Sequence, residues 1–112
     1  MIDEEAGLIA RAARGDAEAF GRLALGQRAR LRRLLHRLVG PADLDDVEQD
    51  AFLAAWRGIA GFRGDASFAT WLTKIAVRRA MKVLKRRRGV PATLTEEPAW
   101  RVSATRPSVW RD

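Results

Sequence analysis

Residues 62–89 read FRGDASFATWLTKIAVRRAMKVLKRRRG, a glycine-containing loop followed by one long predicted helix. With 100° of rotation per residue, the apolar side chains of this helix share an arc of roughly 140° that we expect to face a core. They are Phe68, Leu72, Ile75, Ala76, Ala80 and Val83. The cations that share a separate arc of roughly 80° form what we call the basic arc, and they are Lys74, Arg78, Lys82 and Lys85. No acidic residue occurs from Ala66 to Thr95, so this helix suits a negatively charged partner, with nucleic acid as the leading candidate.

Three further helices are predicted before the loop. The first runs from about Asp3 to Arg14, where Gly15 ends it. Asp16 is expected to cap a second helix that continues to about Val39.

The dipeptide Gly-Pro at residues 40–41 predicts a turn, after which a third helix extends to about Gly61. Asp43 is expected to cap this third helix. The fourth helix is expected to be capped by either Asp65 or Ser67.

The third helix has a compact polar side that suggests a protein-binding surface. Its carboxylates lie beside an exposed leucine and a tryptophan, a combination typical of interfaces. We call this set the docking face, and it consists of Asp46, Gln49, Asp50, Leu53 and Trp56. An ordinary acidic start of a helix is the alternative interpretation. Glu48 falls on the apolar side, where we expect it to reach a helix edge or to pair with an arginine.

The second helix has arginines along its polar side, namely Arg22, Arg28, Arg30, Arg32, Arg33 and Arg37. A solvated helix face is one interpretation of this pattern. A secondary contact with phosphate or with protein is the other.

The composition limits the functional classes. The chain has 112 residues, enough for one domain with a modest core, and it has no cysteine, which excludes disulfides and thiol chemistry. The net charge of +7 implies an anionic partner, nucleic acid first and a membrane surface second. His36 stands among arginines and is expected at a helix surface rather than in a metal site. Because no convergent catalytic set appears, we expect neither an enzyme nor a bound cofactor or metal.

We expect an all-α fold, a compact bundle of about four helices over residues 1–88, because strand patterns are absent. Residues 89–112 contain prolines and two tryptophans, Trp100 and Trp110, without periodicity, and are interpreted as a linker or tail. The N-terminus lacks a signal pattern and the apolar runs are too short to span a bilayer, so a cytoplasmic location is expected.

Two motifs in this order resemble region 2 of bacterial RNA polymerase sigma factors, most closely the small extracytoplasmic-function (ECF) group. The first motif is DDVEQDAF, with its family positions at Asp46, Gln49, Asp50 and Phe52. The second is FRGDASFATWL, with its positions at Phe62, Arg63, Gly64, Asp65, Phe68, Trp71 and Leu72. The resemblance extends from about Asp3 to Arg88.

The resemblance implies two macromolecular contacts. The docking face would bind the clamp helices of the largest catalytic subunit of core RNA polymerase. The fourth helix and its leading loop would bind the minus-ten promoter element and hold the melted non-template strand. The implied DNA-binding residues are Phe62, Arg63, Gly64, Trp71, Lys74, Arg78, Lys82, Lys85 and Arg86. An anti-sigma factor is a further partner to consider.

Physical chemistry explains why such a role needs aromatic and basic residues. Base stacking on aromatic side chains contributes about 1–3 kcal/mol per base, and cations contact the backbone. Together these terms offset the free energy of opening the duplex, a few kcal/mol per extruded base. Phe68 lies on the apolar stripe and is expected in the core, whereas Trp71 fits either a core or a stacking role.

Several positions depart from the family pattern. Arg78 and Lys82 stand where asparagine or aspartate is usual, Thr73 replaces a usual tyrosine, and Glu48 replaces an apolar residue. The added positive charge favours phosphate contacts over reading of base edges. Full members of the group also carry a second helical domain that reads the minus-thirty-five element. We expect this chain to be either a fragment or a single-domain member.

Two other functions fit parts of the sequence. One is a stand-alone helix-turn-helix protein that binds duplex DNA, although the helix start Ser-Phe-Ala-Thr-Trp-Leu at residues 67–72 is poor at reading base edges. The other is a protein-interaction module that sequesters an anti-sigma factor. The basic arc argues against that as the sole role.

Overall fold

The computed structural model describes residues 3–89, most of which lie in four α-helices. They are α1 (Asp3–Ala13), α2 (Ala17–Val39), α3 (Pro41–Gly58) and α4 (Phe68–Arg87), and a 3₁₀ turn at Ile59–Gly61 follows α3. The described residues contain no strand, which confirms the all-α prediction for them. The interpretation of residues 90–112 as a linker or tail, including Trp100 and Trp110, lies outside the described residues.

Side-chain caps begin α2 and α4 as the sequence predicts. The Asp16 carboxylate accepts hydrogen bonds from the backbone N–H groups of Glu18 and Ala19, both at 3.1 Å. The Ser67 hydroxyl accepts the backbone N–H of Thr70 at 3.1 Å, which decides between the two predicted caps of α4. Each cap satisfies donors that have no partner inside the helix.

The prediction that Asp43 caps α3 is wrong. The helix begins at Pro41 with Gly40 as its N-cap, and no side chain caps it. Proline suits the first helical position because its fixed φ is helical and its missing N–H would have had no partner. Gly40 has φ +81°, a conformation that glycine adopts readily. Consequently one residue connects α2 to α3, and Asp43 is available for another contact.

All four helices contribute to one apolar core. The largest fully buried side chains are Phe68, Leu31, Leu35, Leu72 and Ile75. Each is expected to contribute about 1.5–3 kcal/mol through removal of apolar surface from water. Of the predicted apolar stripe of α4, all members but Val83 are fully buried, and Val83 packs against the same core. Among the described helices, none is both long and apolar enough to cross a membrane.

Candidate nucleic-acid and protein interfaces

The docking face is assembled on the solvent side of α3. Asp46, Gln49 and Asp50 are exposed, and Leu53 is 44% exposed one turn further along. Two carboxylates, one amide and one apolar side chain thus lie within two turns of a single helix. The arrangement can accept hydrogen bonds from basic residues and can bury a leucine at the same time.

Trp56 departs from the expectation of an exposed tryptophan. It is half-buried. The centroid of its ring lies 5.2 Å from the ring centroid of Phe20 on α2, and the angle between the two ring planes is 56°. The pair lies at a groove of about 700 Å³ between α2 and α3. The groove is also lined by Arg28, Gln49, Phe52 and Leu53. Its α2 wall was not predicted, because the sequence does not show which residues of α2 pack beside α3.

Glu48 is buried beside this groove and is paired with arginines, one of the two outcomes expected for it. It is 6% exposed, and its Oε2 accepts a hydrogen bond from Arg28 Nε at 2.7 Å. Its other oxygen accepts from Arg32, which also donates to Asp45 at 2.9 Å. Hydrogen bonds to Asp45 and Glu48 raise the pKa of the Arg32 guanidinium. The cluster links α2 to α3 by charge as well as by apolar packing.

One residue of the docking face also contacts α4. Asp50 Oδ2 lies 3.7 Å from Nη1 of Arg79, the cation that the wheel places on the apolar side of α4. The side chains are 53% and 28% exposed, respectively. The ion pair explains how Arg79 is accommodated near the core, and it places the docking face beside α4.

The predicted aromatic residues at the start of α4 form a cluster. The ring of Phe62 lies 5.1 Å from that of Trp71 and 6.4 Å from that of Phe68. Phe68 is 1% exposed and belongs to the core, as expected. Phe62 and Trp71 are half-buried, so each keeps part of its ring accessible. These two rings hold each other in place and still offer surface on which a base could stack.

The loop before α4 presents backbone and charge next to these rings. Arg63 and Gly64 are exposed, and Gly64 has φ +81°. A β-carbon at Gly64 would meet no neighbouring atom within 4 Å, so backbone conformation and not space favours glycine there. The bend projects the loop away from the core.

The remaining predicted DNA-binding residues line α4 on the side away from the core. Lys74 and Arg86 are exposed, whereas Arg78, Lys82 and Lys85 are partly buried. Among residues 3–89, none of the lysines on this helix forms an ion pair. Their positive charge is therefore not neutralised by acids of the described chain.

Arg87, at the end of α4, has a different environment. Its Nη2 donates to the carbonyl oxygen of Val39 at 2.6 Å and to the carboxylate of Asp43. Arg87 thus ties the end of α4 to the junction of α2 and α3. Asp43 takes part in this contact instead of capping α3, a partner that sequence spacing could not identify across 44 residues.

Comparisons with known proteins agree with this architecture. Residues 26–90 match the family model described as Sigma-70 region 2. Over 77 residues the chain is 40% identical to the ECF RNA polymerase sigma-E factor of Escherichia coli, which covers 69% of this chain and 40% of that protein. Over 100 residues it is 37% identical to the RNA polymerase sigma-H factor of Pseudomonas aeruginosa, which covers 87% of this chain and 52% of that protein. The chain therefore spans about half, or less, of the length of these relatives.

A solved structure is similar in fold as well. It is the NMR structure of an engineered region 2 of sigmaE in complex with GTAAAA. The similarity has a TM-score of 0.68 at 35% sequence identity and covers 75% of this chain and 90% of the other.

Proposed function

We propose a function from one premise, which is that this chain belongs to the Sigma-70 region 2 family, in its ECF group. The chain acts as the promoter-recognition domain of a transcription initiation factor. It binds core RNA polymerase through the docking face, and it binds and holds the melted minus-ten strand through α4 and the loop before it. It works by binding rather than by catalysis.

The observation that carries this proposal is the separation of charge between two neighbouring helices. The solvent side of α3 presents Asp46 and Asp50, whereas the basic arc of α4 begins beside two partly exposed aromatic rings, those of Phe62 and Trp71. The first surface suits a basic protein partner, and the second suits an unstacked nucleic-acid strand. The similar engineered region 2 of sigmaE is in complex with GTAAAA, so this oligonucleotide is a suitable first probe.

The helix-turn-helix alternative fits the fold less well. That motif joins its two helices by a turn of about three to four residues. Here residues 59–67 separate α3 from α4, and a single residue separates α2 from α3. Neither connection has the expected length. The connection between α1 and α2, residues 14–16, does have it, but α2 begins with Asp16 as its N-cap and Glu18 in its first turn, and carboxylates at the start of a recognition helix are unfavourable beside DNA phosphates.

The first test measures DNA binding by the whole 112-residue chain. We expect single-stranded GTAAAA to bind more tightly than the same sequence as a duplex, and we expect affinity to fall with salt. In the double variant Lys82→Ala/Lys85→Ala the slope of log K against log salt should decrease by about 1.4, since each phosphate contact on a single strand contributes about 0.7.

The matched control is Arg14→Ala/Arg57→Ala, which removes two exposed charges outside the proposed surface. It should leave the slope unchanged. Equal or tighter binding to the duplex would instead favour a stand-alone duplex reader.

The second test examines the docking face by co-purification with core RNA polymerase. We expect Gln49→Ala or Asp50→Arg to abolish co-purification while the far-ultraviolet circular dichroism stays that of the parent chain. Gln49→Ala is the more direct of the two, because Asp50→Arg also disrupts the contact with Arg79. Arg14→Ala, an exposed position between α1 and α2 and outside the docking face, serves as the control and should co-purify normally. Retention of polymerase by both docking-face variants would remove this face from the mechanism.

A further inference from the structure

Apart from Arg30, which donates to Gln27 and to the carbonyl oxygen of Ala69, the arginines of α2 fall into two groups, and those of the first group have acidic partners. Each one reaches a carboxylate of α1 or α3: Arg22 with Glu4 at 3.8 Å, Arg28 with Glu48 at 2.7 Å, and Arg32 with Asp45 at 2.9 Å. The side of α2 that faces α1 and α3 is therefore largely neutral. These arginines serve the fold.

The second group has no such partners. Arg33 and Arg37 are exposed and form no hydrogen bond or ion pair with any of residues 3–89. The sequence allowed two interpretations of these residues, a solvated surface or a contact with phosphate. The structure adds that the acids which pair with α2, namely Glu4, Asp45 and Glu48, bond other arginines.

Contacts at both ends of the α2–α4 interface show where these two residues lie. Arg30 donates to the carbonyl oxygen of Ala69 in the first turn of α4, at 3.4 Å, and Arg87 donates to that of Val39 at 2.6 Å. On a helical wheel, Arg33 and Arg37 fall within roughly 60° of Arg30. Arg37, about 20° from Arg30, lies along the edge of α2 that borders α4, and Arg33 lies next to it on the solvent side of that edge; along the helix both fall between the two anchoring contacts. We call this pair the α2 row.

The α2 row lies on the opposite side of α4 from the basic arc. Ala69 and Arg87 share one edge of α4, and Lys74 and Lys85 lie roughly 140–160° around the helix from that edge. Between the two rows α4 presents an uncharged ridge that includes Val77, which is half-buried, and Met81, which is 38% exposed. The helix thus has a cationic row on either side of an apolar ridge.

We propose that the α2 row is a second phosphate-binding site, which contacts duplex DNA adjoining the melted strand. This inference rests on the proposed function, because it extends the DNA surface of α4. A single strand offers one backbone, for which the basic arc suffices. A duplex offers two backbones on either side of a groove, and its major groove, about 12 Å wide, admits an α-helix. Cations on both sides of a helix match that geometry.

The ridge also determines whether such a site could recognise a DNA sequence. Val77 and Met81 have no strong hydrogen-bond donor for base edges. Contacts from arginine to phosphate position the protein but carry no sequence information. The α2 row therefore adds affinity for duplex without adding sequence preference.

The test compares two probes with the whole chain. One is single-stranded GTAAAA, and the other is a fork in which this strand is continuous with a duplex. We expect the parent chain to bind the fork more tightly. In Arg33→Ala/Arg37→Ala, fork binding should weaken roughly tenfold at low salt and its salt slope should fall by about 1.8, since each contact with duplex contributes about 0.9. Binding to the single strand should not change.

The control Arg14→Ala/Arg57→Ala has the same net charge and should keep the parent preference for the fork. Should the α2-row variant bind the fork like the parent chain, or lose equal affinity for both probes, the inference is wrong. It is also wrong if this variant loses only binding to anionic phospholipid vesicles or to an acidic protein. Failure of the parent chain to bind the single strand would instead contradict the proposed function, so the two failures can be distinguished.

Discussion

Glu48 is a charged residue in an otherwise apolar part of the fold. A buried carboxylate without partners would be strongly unfavourable, and its pairing with Arg28 and Arg32 resolves this. Because both arginines belong to α2, the pairing also fixes how α3 packs against that helix. The orientation of the docking face depends on this contact.

We expect Glu48→Ala to lower the free energy of unfolding by about 1–2 kcal/mol, because it removes hydrogen bonds to two arginines that are themselves partly exposed to water. Urea unfolding followed by circular dichroism measures the change. Asp45→Ala is the control, since Asp45 is 85% exposed and its loss should have a much smaller effect. Equal effects of the two substitutions would show that burial of Glu48 does not matter.

The sequence predicted that Glu48 falls on the apolar side of α3, but it did not predict which residues would pair with it. A helical wheel places the residue on the apolar side, and an arginine partner follows from charge alone. Which arginine it is depends on the angle at which α2 crosses α3, and that angle is a property of packed side chains. The same limit applies to the ion pair between Asp50 and Arg79, which joins α3 to α4.

Individual helices were predicted better than their contacts, because caps and breakers are local signals. Asp16 and Ser67 begin helices as expected, and Gly40 ends α2. The error at Asp43 has a local cause too. An acid near a helix start competes with Gly-Pro as the starting signal, and proline at the first position prevails. Of the candidate site, the faces of α3 and α4 were predictable from periodicity, whereas the groove beside Trp56 required knowledge of α2.

The start of α2 should be sensitive to acid. Hydrogen bonds from the backbone of Ala19 and from the side chain of Arg11 lower the pKa of Asp16. A carboxylate whose pKa is lower in the folded state stabilises that state fully above its unfolded value of 3.8, and the contribution is lost as pH falls through the folded value.

We therefore expect Asp16→Ala to be less stable than the parent chain at about pH 6, with the difference shrinking towards about pH 3. Urea unfolding at a series of pH values gives this difference. Asp16→Asn keeps a capping oxygen without a titrating charge, so its stability relative to Asp16→Ala should not vary with pH. A difference between the parent chain and Asp16→Ala that grows on acidification would contradict the assigned cause.

In the molecule as a whole, one contact ties the end of α4 to the junction of α2 and α3. Arg87 bonds Val39 and Asp43, which are 48 and 44 residues away in the chain. Its neighbour Arg88 is exposed and has no ion pair among residues 3–89. The run of cations at the end of α4 therefore contains one structural arginine among cations that have no acidic partner in residues 3–89.

We expect Arg87→Ala to lower the free energy of unfolding by about 1 kcal/mol, because it removes a hydrogen bond to a carbonyl and a partly exposed ion pair. Arg88→Ala should change stability little and should weaken binding to DNA in low salt. Chemical unfolding and DNA titration of the two variants provide the comparison. Reversed roles for the two arginines would contradict the assignment.

The single-residue joint at Gly40 also bears on how the protein is degraded. Proteases cut most readily where several residues of exposed chain can be pulled into an extended form. Between α2 and α3 there is no such stretch, and the arginine at the end of α4 covers the same place. Cleavage there requires the bundle to unfold first. A protease acting on the folded protein would instead divide the two proposed surfaces at the exposed loop around Arg63 and Gly64, which separates α3 from α4.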